Sequence, residues 1–302
     1  MPGVLPGGRR RRSAVERGDQ VTSHQDAFAI VQNLAAELSG GQVKLPSLPR
    51  AVVRLRNELA KPGFDVPRLA KLAATEPALA GAILRMANSV ACRRAGSETL
   101  DLKVAIPRIG ADKVQALALR FAVQQLQGSQ QLGRAKSLLE REWALGLRVA
   151  ATCYMVAERS KGVNPDEALI IGLVHNVGRI YLLSRADEHP RLFDSPQVLV
   201  ELVDSWHPSV GQAIVESWDL PEEAAEAVAV QAEEDGLPHG LLSYVLRMAL
   251  ALTSQSKEAL TPQVLEGLAQ WRACRALKLS AADLAAIRDG HETTRLELGL
   301  TD

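Results

Sequence analysis

The sequence predicts an all-α chain, and three observations carry that prediction. Ala supplies 44 of the 302 residues, and Ala loses no side-chain entropy in a helix. Aromatic residues, which strands favour, are scarce: 4 Phe, 4 Trp and 3 Tyr. Apolar residues recur every three or four positions between Gly, Pro and Asn breaks, and no stretch alternates with period two over several residues.

Residues 1–22 are Gly-, Pro- and Arg-rich without periodicity and read as a disordered basic tail. From Ser23, Phe28, Val31, Leu34, Ala35 and Leu38 mark a helix that Gly40–Gly41 stops. Pro49 opens the next helix, where a missing N–H is harmless. Asp65 is placed to cap a short helix over 66–74, and Thr75-Glu76-Pro77 starts one running to about Ser89. There Asn88-Ser89 reads as a stop, because Asn tolerates the left-handed conformation. Helices over 100–109 and 111–126 flank Gly110, and breaks follow at Gly128 and Gly133. A long helix covers 136–160. Asn164-Pro165-Asp166 starts another that runs towards Gly178. Helices over 196–205, 208–218, 221–233 and 239–255 follow, and 262–287 reads as one more helical block.

Composition excludes several classes. Lys plus Arg equals Asp plus Glu at 35 each, which argues against a general nucleic-acid binder. A hydrophobic content of 47% argues against a solvating disordered chain. Cys92, Cys153 and Cys274 are odd in number and widely spaced, so they outline neither a disulfide framework nor a zinc site and fit a reduced, cytoplasmic setting. Apolar runs such as 114–123 and 149–157 are too short to span a bilayer, and no apolar stretch follows Arg9–Arg12 to make a secretory signal.

An ordered set of motifs runs through the middle of the chain. Leu45, Pro46, Leu48 and Pro49 form an LP-x-LP opening. Pro77, Leu79, Leu84, Ala87, Asn88 and Ser89 follow, then Ala105, Ile106, Ile109 and Gly110. Next come Trp143; Gly172, His175, Asn176 and Gly178; and His207, Gly211, Trp218 and Pro221. Each fragment alone is weak, but their order over roughly 43–255 resembles the HDOD domain, a bacterial signalling module related to HD phosphohydrolases. The resemblance implies an N-terminal helical bundle (23–133) packed on a degenerate HD-like helical bundle (134–255), with 256–302 as a helical extension.

Catalytic HD proteins hold divalent metal through a His, a His-Asp pair and a distant Asp, and the ion lowers the pKa of a bound water. Matched position by position, this chain lacks that set. The first His falls at Leu145. The central pair is His175-Asn176, an amide where the family has a carboxylate. The last Asp falls near Leu250, in a helix without any carboxylate. The resemblance therefore implies no metal, no cofactor and no catalytic residue. His175 reads as a histidine hydrogen-bonded at a helix end, and His207 as a capping or packing residue. The expected role is a non-catalytic regulatory or scaffold protein whose signalling partners act in trans; a small ligand or cyclic nucleotide in the remnant pocket is left open. Two alternatives stand beside it: a divergent metal-dependent phosphohydrolase or phosphodiesterase using His175, and nucleic-acid-linked regulation through Arg9–Arg12. Membrane partners are not expected.

Overall fold

The structure is a computed structural model that describes residues 25, 28–29, 46–93, 98–128, 133–233, 239–298 and 300. The tail over 1–22 and Leu45 lie outside the described residues, as does most of the helix expected from Ser23, of which residues 25, 28 and 29 are helical. The described residues are all-α, with no strand among them.

Six helices come first: α1 (Arg50–Leu59), α2 (Val66–Ala74), α3 (Pro77–Ala87), α4 (Val90–Arg93), α5 (Leu102–Ile109) and α6 (Ala111–Gly128). Pro49 precedes α1 as predicted, and Gly110 ends α5 at φ 88°, which only glycine adopts without strain. Three local expectations need correction. Asp65 stands at the start of α2, but its side chain makes no capping bond. Asn88 ends α3 with ordinary right-handed geometry, at φ −94° and ψ −2°. Its amide instead pins the chain eleven residues on, donating to the Thr99 carbonyl and accepting from the Thr99 N–H, both at 2.9 Å. Gly128 lies within α6 rather than beyond it.

The spine is α7 (Lys136–Arg159), which packs most extensively on α8 (Pro165–Val174). Their backbones nearly touch: a Cβ on Gly172 would lie 2.4 Å from the Ala150 Cα. The small residues of the sequence thus give close helix approach as well as helix propensity. Asn164 caps α8, accepting from the Asp166 N–H at 2.9 Å. The helix does not continue to Gly178. It ends at Val174, the chain turns at His175-Asn176, and Gly178 falls inside α9 (Val177–Ala186).

After a 3-10 turn (Pro190–Asp194) comes α10 (Pro196–Ser217), one helix where a break at Pro208 was predicted. Proline removes the N–H that would bond the Asp204 carbonyl. The His207 ring works beside the gap, with its Nδ1 3.0 Å from the Val203 carbonyl. The helix runs on through Pro208 and packs against α9 and α11 (Glu222–Ala229). Next comes α12 (Leu241–Thr253), which packs on α7 and α11. The block predicted over 262–287 is three helices: α13 (Pro262–Ala269), α14 (Arg272–Ala276) and α15 (Ala281–Glu297). Lys278 at φ 58° and a capping box between Ser280 and Asp283 make the second break.

The two most distant motifs clasp each other. Buried Trp218 donates from Nε1 to the Pro46 carbonyl at 2.6 Å. Arg56 of α1 donates to the Trp218 carbonyl and pairs with Asp219 at 3.5 Å. Trp218→Phe keeps most of the packing and removes the donor. The expected loss is about 1–2 kcal/mol, read as a lower urea midpoint with unchanged slope.

Cys153 and Cys274 are buried and Cys92 is half-buried. Burial pushes the Cys153 thiol well above its ordinary range, so it packs and does not react. Among the described residues no helix is long and apolar enough to cross a membrane.

Candidate functional site

The α8–α9 turn places the His175-Asn176 pair against α7 and beside His207 of α10. The His175 side chain is buried, and its Nδ1 lies 2.8 Å from the Gly172 carbonyl. A carbonyl only accepts, so Nδ1 carries the proton and Nε2 keeps the lone pair. Burial, first of all, holds its pKa down at about 4; the nearby His207 and Arg179 push the same way. At neutral pH the ring is uncharged.

Asn176 does not point at His175's partners but at α7. Its Nδ2 donates to the Glu142 carbonyl at 2.6 Å and lies 3.4 Å from the Glu142 carboxylate. Gly146, one turn further along α7, leaves room for it: a Cβ there would lie 3.3 Å from Asn176 Oδ1. An aspartate at this position would set oxygen against oxygen, so this environment is built for an amide.

A cation stands next to both. Arg179 of α9 reaches Glu142 Oε1 at 3.1 Å and Asp204 Oδ1 at 2.7 Å. Its Nη1 is 3.5 Å from His207 Nδ1. Since His207 Nδ1 donates to the Val203 carbonyl, Arg179 is its charge neighbour and not its hydrogen-bond donor. Burial and then that charge lower the His207 pKa from its ordinary value. On the far side, Gln231 donates to the His175 carbonyl at 2.9 Å. Buried Arg247 of α12 donates to the carbonyls of Glu233 and Val230.

A divalent metal, which the fold family implies, does not fit this donor set. His175 has the tautomer a ligand needs. Its neighbours do not follow: Asn176 is tied to a carbonyl, and Leu145 and Leu250 are half-buried apolar residues packed on the core. The two nearest carboxylates already neutralise Arg179. Among the described residues, no three His, Cys, Asp or Glu side chains group closely enough to hold a metal ion.

The structure thus joins His175, Asn176 and His207, which the sequence singled out, through Glu142, Arg179 and Asp204, which it did not. These three come from three helices, and no spacing in the sequence links them. The remaining motif residues shape the scaffold. Pro77 opens α3, and Pro221 precedes α11. Gly178 and Gly211 let α9 and α10 meet: a Cβ on Gly178 would lie 2.1 Å from the His207 carbonyl and 2.7 Å from the Gly211 nitrogen. Trp143 is buried beneath the Arg120 guanidinium, 5.9 Å from its ring centre. Ser89 is half-buried where α3 ends.

The helices around the His175-Asn176 turn form an all-α, HD-like fold. The HDOD domain profile matches residues 45–234, and the chain belongs to the HDOD domain family. Among solved structures it is similar to a protein from Shewanella amazonensis SB2B provisionally named a metal-dependent phosphohydrolase. That match has TM-score 0.73 and 24% identity, covering 91% of this chain and 99% of the other. It is also similar to a protein from Marinobacter aquaeolei VT8 provisionally named a signal transduction protein, with TM-score 0.56 and 16% identity over 97% of this chain and 66% of the other. An uncharacterized protein of Treponema pallidum (strain Nichols) is 24% identical over 227 residues, which cover 70% of this chain and 41% of that relative. The chain therefore spans less than half the length of this curated relative.

Proposed function

We propose that this chain is a non-catalytic regulatory module of bacterial signal transduction, acting through protein–protein contacts with partners in trans. One observation carries the reading: Arg179 is bound between Glu142 and Asp204 beside His175 and His207. A fixed positive charge occupies the neighbourhood in which catalysis would need a second one, and its pairing uses the carboxylates that could have compensated. Membership of a signalling-output family and the name of the Marinobacter protein support the same reading.

The name of the Shewanella protein points the other way, to metal-dependent phosphoester hydrolysis. One experiment separates the two. The purified chain is equilibrated with Mn, Fe, Mg and Zn, its metal content is measured by elemental mass spectrometry, and bis(p-nitrophenyl) phosphate hydrolysis is assayed. The regulatory reading expects well under one ion per chain and no metal-dependent turnover. One or two tightly held ions with turnover would overturn it. Asn176→Asp, which restores the family carboxylate, is expected to gain no activity. It should lose about 1–3 kcal/mol of stability, because its oxygen would face the Glu142 carbonyl. A clear gain of hydrolysis in that variant would also overturn the reading.

A further inference from the structure

Towards the N-terminal end of α8, whose C-terminal end carries the His175-Asn176 turn, is a groove of about 400 Å³ that the proposed function leaves unused. Its floor is apolar, formed by Ile170 of α8, Leu220 of the α10–α11 turn and Leu242 of α12. Its rim is acidic, with Asp112 of α6, Glu167 of α8 and Glu223 of α11. Asp166 also lines the groove, but Lys113 neutralises it at 3.2 Å. Among the described residues Asp112, Glu167 and Glu223 are exposed and pair with no cation. Acidic residues are favoured at helix N-termini, which explains Glu167 and Glu223 singly. It does not explain why three elements turn unpaired carboxylates towards one apolar hollow.

The charge is segregated along the chain as well. Between Arg191 and Arg247 there are eleven Asp and Glu and no Lys or Arg. The longest run of cations is Arg9 to Arg12. Pro46, where the continuously described chain begins, lies beside the groove. Pro46 is held by Trp218, and two and three residues past Trp218 come Leu220 and Pro221, which line the groove. Thirty-three residues separate Arg12 from Pro46, about 50 Å even if wholly helical at 1.5 Å per residue, so reach is not limiting.

We propose that the groove between α6, α8, α11 and α12 is the docking site for this chain's own Arg9–Arg12 run. Guanidinium groups meet the rim carboxylates in a planar, bidentate geometry that lysine lacks. The aliphatic stems of the arginines lie on the apolar floor. Tethering supplies an effective concentration on the order of millimolar, so a weak contact suffices. Docking ties α6 to α8 and α11, and so fixes the first helical group against the second. The inference does not depend on the chemistry of the His175 turn.

The test is hydrogen exchange by mass spectrometry on the full chain, at low and high salt. Arg9–Arg12→Ser is compared with Asp112→Asn/Glu167→Gln/Glu223→Gln and with the two sets combined; all groove changes are isosteric and on exposed residues. At low salt, replacing the arginines should speed exchange in the first turns of α8 and α11 by roughly threefold or more. The groove variant should do the same, the combination should add nothing, and 0.5 M salt should erase the difference, since exposed charges are then screened. Equal exchange in the intact and Arg-less chains at low salt would overturn the proposal. So would an arginine effect that persists in the groove variant, because the run would then dock elsewhere. Protection that grows with protein concentration would overturn docking within one chain in favour of docking between two copies.

Discussion

Gly178→Ala is expected to lower unfolding stability by about 3 kcal/mol or more, towards the upper end for a single added methyl. The added Cβ would lie 2.1 Å from the His207 carbonyl and 2.7 Å from the Gly211 nitrogen. Both are backbone atoms, so no side chain can swing aside, and α9 and α10 must part. Parting them also draws His207 away from Arg179 and loosens the site network. Urea unfolding followed by far-ultraviolet circular dichroism checks this. Gly267→Ala in α13 is the matched control, because its Cβ would meet nothing within 4 Å. It should gain about 0.5–1 kcal/mol, the ordinary preference for Ala over Gly in a helix. A Gly178→Ala protein within 1 kcal/mol of the parent would show that the helices yield far more easily than their packing implies.

The second large effect is a loss of stability in mild acid. His175 titrates at about 4 in the folded chain and near 6.5 when unfolded. Between those values the unfolded chain binds a proton that the folded chain refuses. Stability should therefore fall as pH drops through the window and level off below about 4, a span of about 3 kcal/mol for this residue. His207, also held below its ordinary value, acts with the same sign. Measuring urea unfolding between pH 7.5 and 4.5 avoids most of the range in which carboxylates protonate. His175→Asn keeps a donor for the Gly172 carbonyl and removes the titration, so its stability should vary less across this range. A pH dependence identical to the parent's would show that burial of His175 is not the source.

What was legible in the sequence was mostly what acts locally. Pro49, Gly110 and Asn164 end or start helices through their own backbone or side chain, and each does so where expected. Two of the misreadings involve contacts with other helices, while others, such as the Ser280–Asp283 capping box, were local. Pro208 stays within a helix that packs on α9 and α11. Gly178 was read as a stop, but its missing side chain serves contact with His207 and Gly211. The same split holds for the candidate site. The His175-Asn176 turn stood out because the two residues are adjacent and matched to a family motif. Glu142, Arg179 and Asp204 did not, because what unites them is the meeting of three helices around one guanidinium.

The Trp218–Pro46 clasp also sets an order of events during synthesis. The partners are 172 residues apart. A ribosome adding about 5–20 residues per second delivers the tryptophan roughly 10–30 s after the proline. For that interval the first helical group exists without its closing bond, and Arg56 has no tryptophan carbonyl to hold. The nascent chain therefore carries an unfinished edge until the α10–α11 turn emerges, and that edge is where a chaperone would find it.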